Sequence, residues 1–412
     1  MLLLGIAASA PTSMTAIDLL SFITAALLLQ LAAGIGWTVW RRRAAQVTAK
    51  ALAPAAKSVK ADAAWSGWRE FRVAQCAFED AAQSQCSFYL QPVDGQPLPP
   101  FKPGQFLTFA LDVTPRSADA ASTARVITRC YSLSDRPESA HYRVTIKRVP
   151  APAEHPEFDP GLSSNHFHER VQVGDTLRVK APAGHFFIDP DPTVPAVLIG
   201  GGIGITPLRA MLHAALAQAR PVVLHHAART EAELLYRAEF EALAAQEPRF
   251  RYLPTLSRPD HGWSGARGRL DAARVLALSA QAAHAEFYLC AGQPMMDALR
   301  AGLVALGIHA EHIHHEAFGA GSAAAASGLE IRVGADACTT AGEPTLLATL
   351  EEAGLAPESE CRAGTCGLCR MKLAAGEVTW LLDTELALKR DEILPCICVA
   401  AGDLQLHEAV AR

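Results

Sequence analysis

Charge is scarce in this 412-residue chain: Asp, Glu, Lys and Arg make up 19% of it, and no run of like charge is longer than Arg41-Arg42-Arg43. Half of the residues are hydrophobic, which excludes disorder over most of the length. Glycine (29) and proline (26) show no excess, so collagen-like and low-complexity architectures are excluded too. The formal net charge of −5 argues against a nucleic-acid binder. At roughly 150 residues per domain, the length calls for two or three domains.

The charge that exists is uneven. Between Glu330 and Arg412 there are 14 acidic and 7 basic residues, a local net of −7 that leaves +2 for the remainder. An acidic end suits docking to a basic partner or neighbour, and equally suits plain solubility. The ten cysteines do not form a disulfide framework. Cys361, Cys366, Cys369 and Cys396 crowd the last quarter, and the other six are scattered; tight spacing of this kind reads as metal ligation.

Leu19 to Trp40 carries no charge and one strongly polar residue, Gln30. Its length suffices to cross about 30 Å of hydrocarbon as a helix. Trp37 and Trp40 fall at its end, the arginine triplet follows, and no Lys or Arg precedes it. The pattern predicts a single-pass anchor in the inner (cytoplasmic) membrane, with everything after it in the cytoplasm. A cleaved signal peptide would need a basic segment before the apolar run. Residues 1–43 are thus read as the anchor (helix 19–40) and 44–64, Ala-rich with scattered Lys, as a linker.

From Trp65 the pattern changes to short alternating runs such as "QFLTFALDV" and "HYRVTIKRV", punctuated by Pro and Gly. This predicts an antiparallel β-barrel. Within Arg129-Cys130-Tyr131-Ser132, strand alternation puts Arg129 and Tyr131 on one face, a cation and a flat ring suited to a planar, phosphorylated cofactor. Next, "VPAVLIGGGIGITPLRAMLHAALA" reads as an apolar strand, a glycine-rich turn and an amphipathic helix. Gly200, Gly201, Gly202 and Gly204 allow backbone to approach a pyrophosphate, and Thr206 and Pro207 open the helix whose positive end faces it. "PVVLHHAART" and "AEFYLCAGQPMMDALRAGL" continue a parallel α/β sheet. Five histidines (His225, His226, His312, His314, His315) fall in two separate clusters without zinc-type spacing and read as packing or solvated residues. Last, Cys361-x4-Cys366-x2-Cys369 followed by Cys396 is the spacing of a plant-type [2Fe–2S] site; zinc would want C-x2-C pairs. Cys398 is the rival fourth ligand.

"RCYSLSD", "YRVTIKR" and "GLSSNHFHERVQVGDTLRVKAPAGHFF", in that order, resemble the ferredoxin-NADP reductase superfamily, most of all the reductase half of flavohaemoglobins. The resemblance covers about residues 65–412. It implies FAD, with Arg129 on the pyrophosphate, Tyr131 against the isoalloxazine and Ser132 near its N5. Gly161 and Ser164 fall on the family's Gly-x-x-Ser at the pyrophosphate, and Lys147 where a basic residue often lines the site. Cys290 matches the cysteine beside the nicotinamide, although Ala291 and Gly292 stand where Gly and Pro are usual. "HHEAFG" implies Glu316 near the transfer site and Phe318 near the flavin ring. "ILPC" resembles the family's Ile-Leu-Ala-Cys and favours Cys396.

The expected architecture is therefore a transmembrane helix, a FAD-binding barrel (65–190), an α/β NAD(P)-binding domain (191–318), a flexible "GAGSAAAASG" linker (319–328) and a β-grasp [2Fe–2S] ferredoxin domain (329–412). The modules imply a one-chain relay from NAD(P)H, with NADH favoured, through FAD and the cluster to a one-electron acceptor. That acceptor is expected to be a redox protein, with a membrane oxygenase, hydroxylase or desaturase the attractive class. Arg229 is placed to meet a 2′-phosphate or only solvent. The domain order resembles phthalate dioxygenase reductase and phenylacetyl-CoA epoxidase reductase. A resemblance to sodium-translocating NADH:quinone reductase fails on order, because there the ferredoxin module comes first. A membrane redox sensor or scaffold without enzymatic activity is the alternative from another class.

Overall fold

The computed structural model describes residues 65–80, 82–113, 125–137, 140–151, 160–188, 191–279, 282–318, 326–343, 345–359, 362, 364, 367–381, 384 and 386–408. The expected anchor and first linker, residues 319–325, Cys361 and Cys366 lie outside the described residues. Among the described residues no helix is long and apolar enough to cross a membrane.

The first sheet comprises β1 (Arg69–Phe78), β2 (Gln85–Pro92), β3 (Phe106–Val113), β4 (Arg125–Ser132), β5 (Tyr142–Lys147) and β6 (Thr176–Val179), ordered β4-β3-β6-β1-β2-β5. All its pairings are antiparallel. Alternation is visible in β1, where Phe71 and Val73 are buried and Arg72 is exposed. Phe71, Phe88, Phe109 and Phe167 fill the core, the last from helix α1 (Leu162–Glu169). Strands β4 and β5 are the two edges of the sheet. An isolated bridge, Leu133 with Val144, brings the chain at these edges together.

The second sheet is entirely parallel: β7 (Ala196–Gly201), β8 (Val222–Ala228), β9 (Phe250–Leu256), β10 (Ala266–Arg267), β11 (Glu286–Ala291) and β12 (Ile313–Ala317), ordered β10-β9-β8-β7-β11-β12. Its strands are near-continuous apolar runs because both faces are covered. Ala196 and Leu198 of β7 pack with α2 (Ile205–Ala217) and α3 (Arg237–Gln246) on one side. Val197 and Ile199 pack with α4 (Ala272–Leu278) and α5 (Gln293–Ala305) on the other. The strand order reverses between β7 and β11, and a ligand crevice is expected at the carboxyl ends of strands on either side of such a point.

The third sheet is mixed, ordered β14-β13-β19-β15-β17: β13 (Glu330–Val333), β14 (Asp336–Thr339), β15 (Met371–Ala375), β17 (Glu392–Ile393) and β19 (Leu404–Glu408). A two-stranded piece, β16 (Val378–Trp380) with β18 (Cys398–Ala400), stands beside it. Helix α6 (Leu346–Glu352) covers the core with Leu346 and Leu350. Its cap is Thr345, whose hydroxyl accepts the Ala348 N–H at 3.1 Å.

Candidate functional site

One cavity of about 550 Å³ gathers residues from all three sheets. Its walls include Arg129 to Ser132 from β4, Lys147, and Gly161, Ser163 and Ser164 at the start of α1. Thr206, Glu316 and Phe318 enter from the parallel sheet, and Thr345, Leu347, Ala348, Arg362 and Cys396 from the last module. All four of Arg129-Cys130-Tyr131-Ser132 reach it, not the alternate two that strand periodicity predicts. An edge strand has no neighbour on one side, so the cavity wraps around β4.

Tyr131 is pinned by Ser163: the two hydroxyls share a hydrogen bond of 2.7 Å. Its ring meets Phe109 and Phe167 edge to face, at centroid distances of 5.9 and 5.2 Å. Burial pushes the phenol up to about 12, so it stays a neutral group. Arg129 donates from Nη1 to the Thr128 carbonyl at 2.8 Å. Burial, and secondarily the neighbouring Arg362, pull its guanidinium down to about 10, and it remains charged at neutral pH. The Gly161–Ser164 segment is tied to the chain after β5. The Ser164 hydroxyl accepts from the Val149 N–H at 3.2 Å and donates to the Gly161 carbonyl at 3.0 Å.

At the far end, the Ser132 hydroxyl donates to the Glu316 carboxylate at 3.5 Å across 184 positions of sequence. Glu316 is 8% exposed and stands opposite Cys290 in the β11–β12 register. Cys290 is fully buried and is not among the cavity-lining residues. Burial first, then the Glu316 charge, hold its thiol well above the usual range, so it is a neutral S–H. Phe318, 46% exposed, flanks the mouth.

The glycine-rich turn joins β7 to α2 through Gly202–Gly204. A Cβ at Gly204 would lie 2.0 Å from the Cys290 carbonyl oxygen, so only glycine lets this turn pass against the end of β11. Of the turn region, Ile203 and Thr206 reach the cavity, and the Thr206 hydroxyl donates back to Ile203 O at 2.9 Å. Gly200, Gly201, Gly202 and Gly204 are not among the lining residues, and Pro207 is the third residue of α2. Just beyond β8, Arg229 is held by Glu233 through bonds of 3.1 and 2.9 Å.

Cys369 and Cys396 are each 2% exposed and share one apolar cluster with Leu347, Leu394 and Ile397. Cys398 lies in β18 and packs into the other core, with Ile331 and Met371. Gly364, between the two undescribed cysteines, has φ +74°, and a Cβ there would meet Ile397 at 2.4 Å. The cysteine loop is thus seated on the turn that carries Cys396. Arg362 of that loop pairs with Glu351 and donates to Thr128 Oγ1 of β4 at 3.0 Å. Lys180 and Glu358 add an ion pair of 3.8 Å. Arg362, Thr345, Leu347, Ala348 and Ser163 carry no motif of their own; Ser163 and Arg362 stood as spacers inside recognised patterns.

The histidines have local partners: His225 Nε2 with Ser279 Oγ at 3.0 Å, His226 Nδ1 with Tyr252 Oη at 3.1 Å, and His312 and His314 with Glu286 at 2.8 Å each.

The residues present fit the groups that the sequence implies. The cavity sets half-buried guanidinium and buried hydroxyl groups beside apolar walls, as a flavin nucleotide requires, and Cys396 in its lining shares an apolar cluster with Cys369. Comparison with known proteins agrees. The family described as "Oxidoreductase NAD-binding domain" matches residues 198–301, and "2Fe-2S iron-sulfur cluster binding domain" matches 332–401. The flavohemoproteins of Chromobacterium violaceum and Pseudomonas aeruginosa are 38% and 36% identical over 64% and 65% of this chain. The chain spans 63% of the length of either. The flavohem-like FAD/NAD-binding domain of nitric oxide dioxygenase from Vibrio cholerae is 30% identical with a TM-score of 0.53, covering 61% of this chain and 99% of that one. Phthalate dioxygenase reductase, 24% identical, shares the fold over 84% of this chain and 98% of its own, with a TM-score of 0.59.

The chain belongs to the ferredoxin-NADP reductase superfamily and carries an iron–sulfur domain in addition. Within that class it combines an oxidoreductase NAD-binding domain with a [2Fe–2S] cluster-binding domain, the domain set of an NAD(P)H-dependent flavin and iron–sulfur electron-transfer reductase.

Proposed function

We propose that this reductase takes its hydride from NADH at the Ser132–Glu316–Cys290 corner. It delivers single electrons, past Cys396, to a redox protein such as an oxygenase, hydroxylase or desaturase. The observation that carries this reading is the cavity itself, which is lined by Ser132 and Glu316 and also by Cys396. Bound FAD accepts two electrons together and releases them singly, and a [2Fe–2S] cluster carries one at a time.

Each residue has a task set by its surroundings. Ser132, oriented by Glu316, offers a hydroxyl at the reacting edge of the ring. Glu316 supplies the carboxylate that can exchange its proton. Cys290, buried and uncharged behind Glu316, puts no competing thiolate beside the corner that the nicotinamide approaches. Tyr131, fixed by Ser163, presents a neutral face to the isoalloxazine. Arg129 and Lys147 match the cofactor's phosphates. Cys361, Cys366, Cys369 and Cys396 hold the cluster, because Cys396 shares a buried cluster with Cys369 whereas Cys398 turns into the sheet core. The Glu233 carboxylate, already on Arg229, favours NADH by opposing a 2′-phosphate.

The anchor over 19–40 and Arg41-Arg42-Arg43 support a place on the cytoplasmic face of the inner membrane, in the plane of a membrane acceptor. Cys396→Ser in the full chain tests the relay. NADH-driven reduction of a small dye should persist while reduction of cytochrome c is lost. Cytochrome c reduction at the original rate would refute it.

A further inference from the structure

We propose that Arg362, from the cysteine loop, is a second phosphate-holding guanidinium for the flavin, paired with Arg129. Through it the bound cofactor itself fastens the iron–sulfur module to the flavin module. This rests on reading the cavity as the flavin site.

Both guanidinium groups line the cavity, and both are secured on one residue of β4. Arg129 donates to the carbonyl of Thr128 and Arg362 to its hydroxyl, at 2.8 and 3.0 Å. The Arg362 guanidinium is oriented through its two terminal nitrogens, by Glu351 and by Thr128, while the residue lines the cavity. The charge points the same way. Among the described residues, Arg129, Lys147 and Arg362 line the cavity against one carboxylate, Glu316. Counting Glu351 as well still leaves the cations in excess, and a pyrophosphate is the anion that the cofactor brings. Placement agrees too. Thr128 is four residues from Ser132 along an extended strand, about 13 Å at ~3.3 Å per residue. Arg362 therefore sits at the end of the cavity away from the Ser132–Glu316 pair, where the phosphates of a flavin with its reactive edge at Ser132 would lie.

The test uses the full chain with its cluster in place and its flavin removed, titrated with FAD and with riboflavin, which has the ring but no phosphate. Arg362→Gln should weaken FAD about tenfold or more, the effect of losing a charged hydrogen bond, and leave riboflavin within about twofold. Thr128→Val, far in sequence from the cysteines, should weaken FAD in the same sense by a smaller factor, and it carries the test if Arg362→Gln fails to assemble its cluster. Equal losses for FAD and riboflavin would overturn the proposal, since that is what general distortion does. Unchanged FAD binding in both variants, while Arg129→Gln loses FAD, would overturn the role of Arg362 and spare the cavity. Unchanged FAD binding in Arg129→Gln as well would overturn the reading of the cavity itself.

Discussion

Replacing Gly204 by alanine puts a methyl carbon 2.0 Å from the Cys290 carbonyl oxygen and 2.5 Å from its carbon. Ordinary contacts there are about 3.5 Å, so the turn and the end of β11 must separate by more than 1 Å. Both colliding partners are backbone, held by the β7–β11 ladder in which Cys290 pairs with Gly200. No rotamer change relieves the clash. Overpacking a well-packed site costs roughly 1–3 kcal/mol, and an immobile backbone places this site at the upper end. For the compact unit Ala64–Arg412 that is a fall of about 4 °C in Tm. The functional loss should be larger, because a displacement of about 1 Å at a reacting site can cost ~100-fold in rate. The assay is thermal unfolding together with the anaerobic rate of flavin reduction by NADH. Gly262→Ala is the control, since a Cβ there meets nothing within 4 Å. If Gly204→Ala melts within a degree of the parent and reduces its flavin at the parent rate, the proposed contact between turn and strand is wrong.

Acid should destabilise this protein early. His225 and His226 are buried neutral, pulled down to about 4 and about 3 by burial, so below pH 6.5 the unfolded chain takes up protons that the folded one refuses. Stability should be full above about pH 6.5 and fall from there toward pH 4, by up to about 1.4 kcal/mol per histidine per pH unit, as followed by urea unfolding; a flat profile over that window would contradict the burial. Cys398→Ser should keep the cluster's visible and EPR spectra, while Cys396→Ser should lose them; the reverse pattern would exchange the two ligands. Glu233→Ala should free Arg229 and raise NADPH use relative to NADH by a few-fold in kcat/KM, and an unchanged ratio would remove Glu233 from nucleotide selection.

Much of the architecture was legible because each module repeats a simple period: alternation in β1, unbroken apolar runs in β7 and β11, and the close cysteine spacing. Arg129, Tyr131, Ser132, Thr206, Glu316 and Cys396 were named from the sequence, Ser132 and Glu316 through the family resemblance, and all six line the cavity. Arg362 was not legible. It reads as a spacer between Cys361 and Cys366, and its role depends on Thr128 and Glu351, which no sequence period connects to it. Thr345, Leu347 and Ala348 read as a cap and an apolar helix face, and they line the cavity because the start of α6 faces it. Ser163 was passed over beside Ser164, yet it is the one that holds the Tyr131 hydroxyl. Periodicity assigned Arg129 and Tyr131 alone to the site; that β4 is an edge strand is a fact of sheet order.

The most direct measurement of the central claim is anaerobic rapid mixing of the full chain with NADH, following the flavin and cluster bands separately at several protein concentrations. The cavity joins Ser132 and Glu316 to Cys396 within one chain. The cluster should therefore be reduced after the flavin in a first-order phase whose rate does not change with protein concentration. A cluster phase that speeds up in proportion to concentration, or that is missing while the flavin is fully reduced, would contradict a relay built into one cavity.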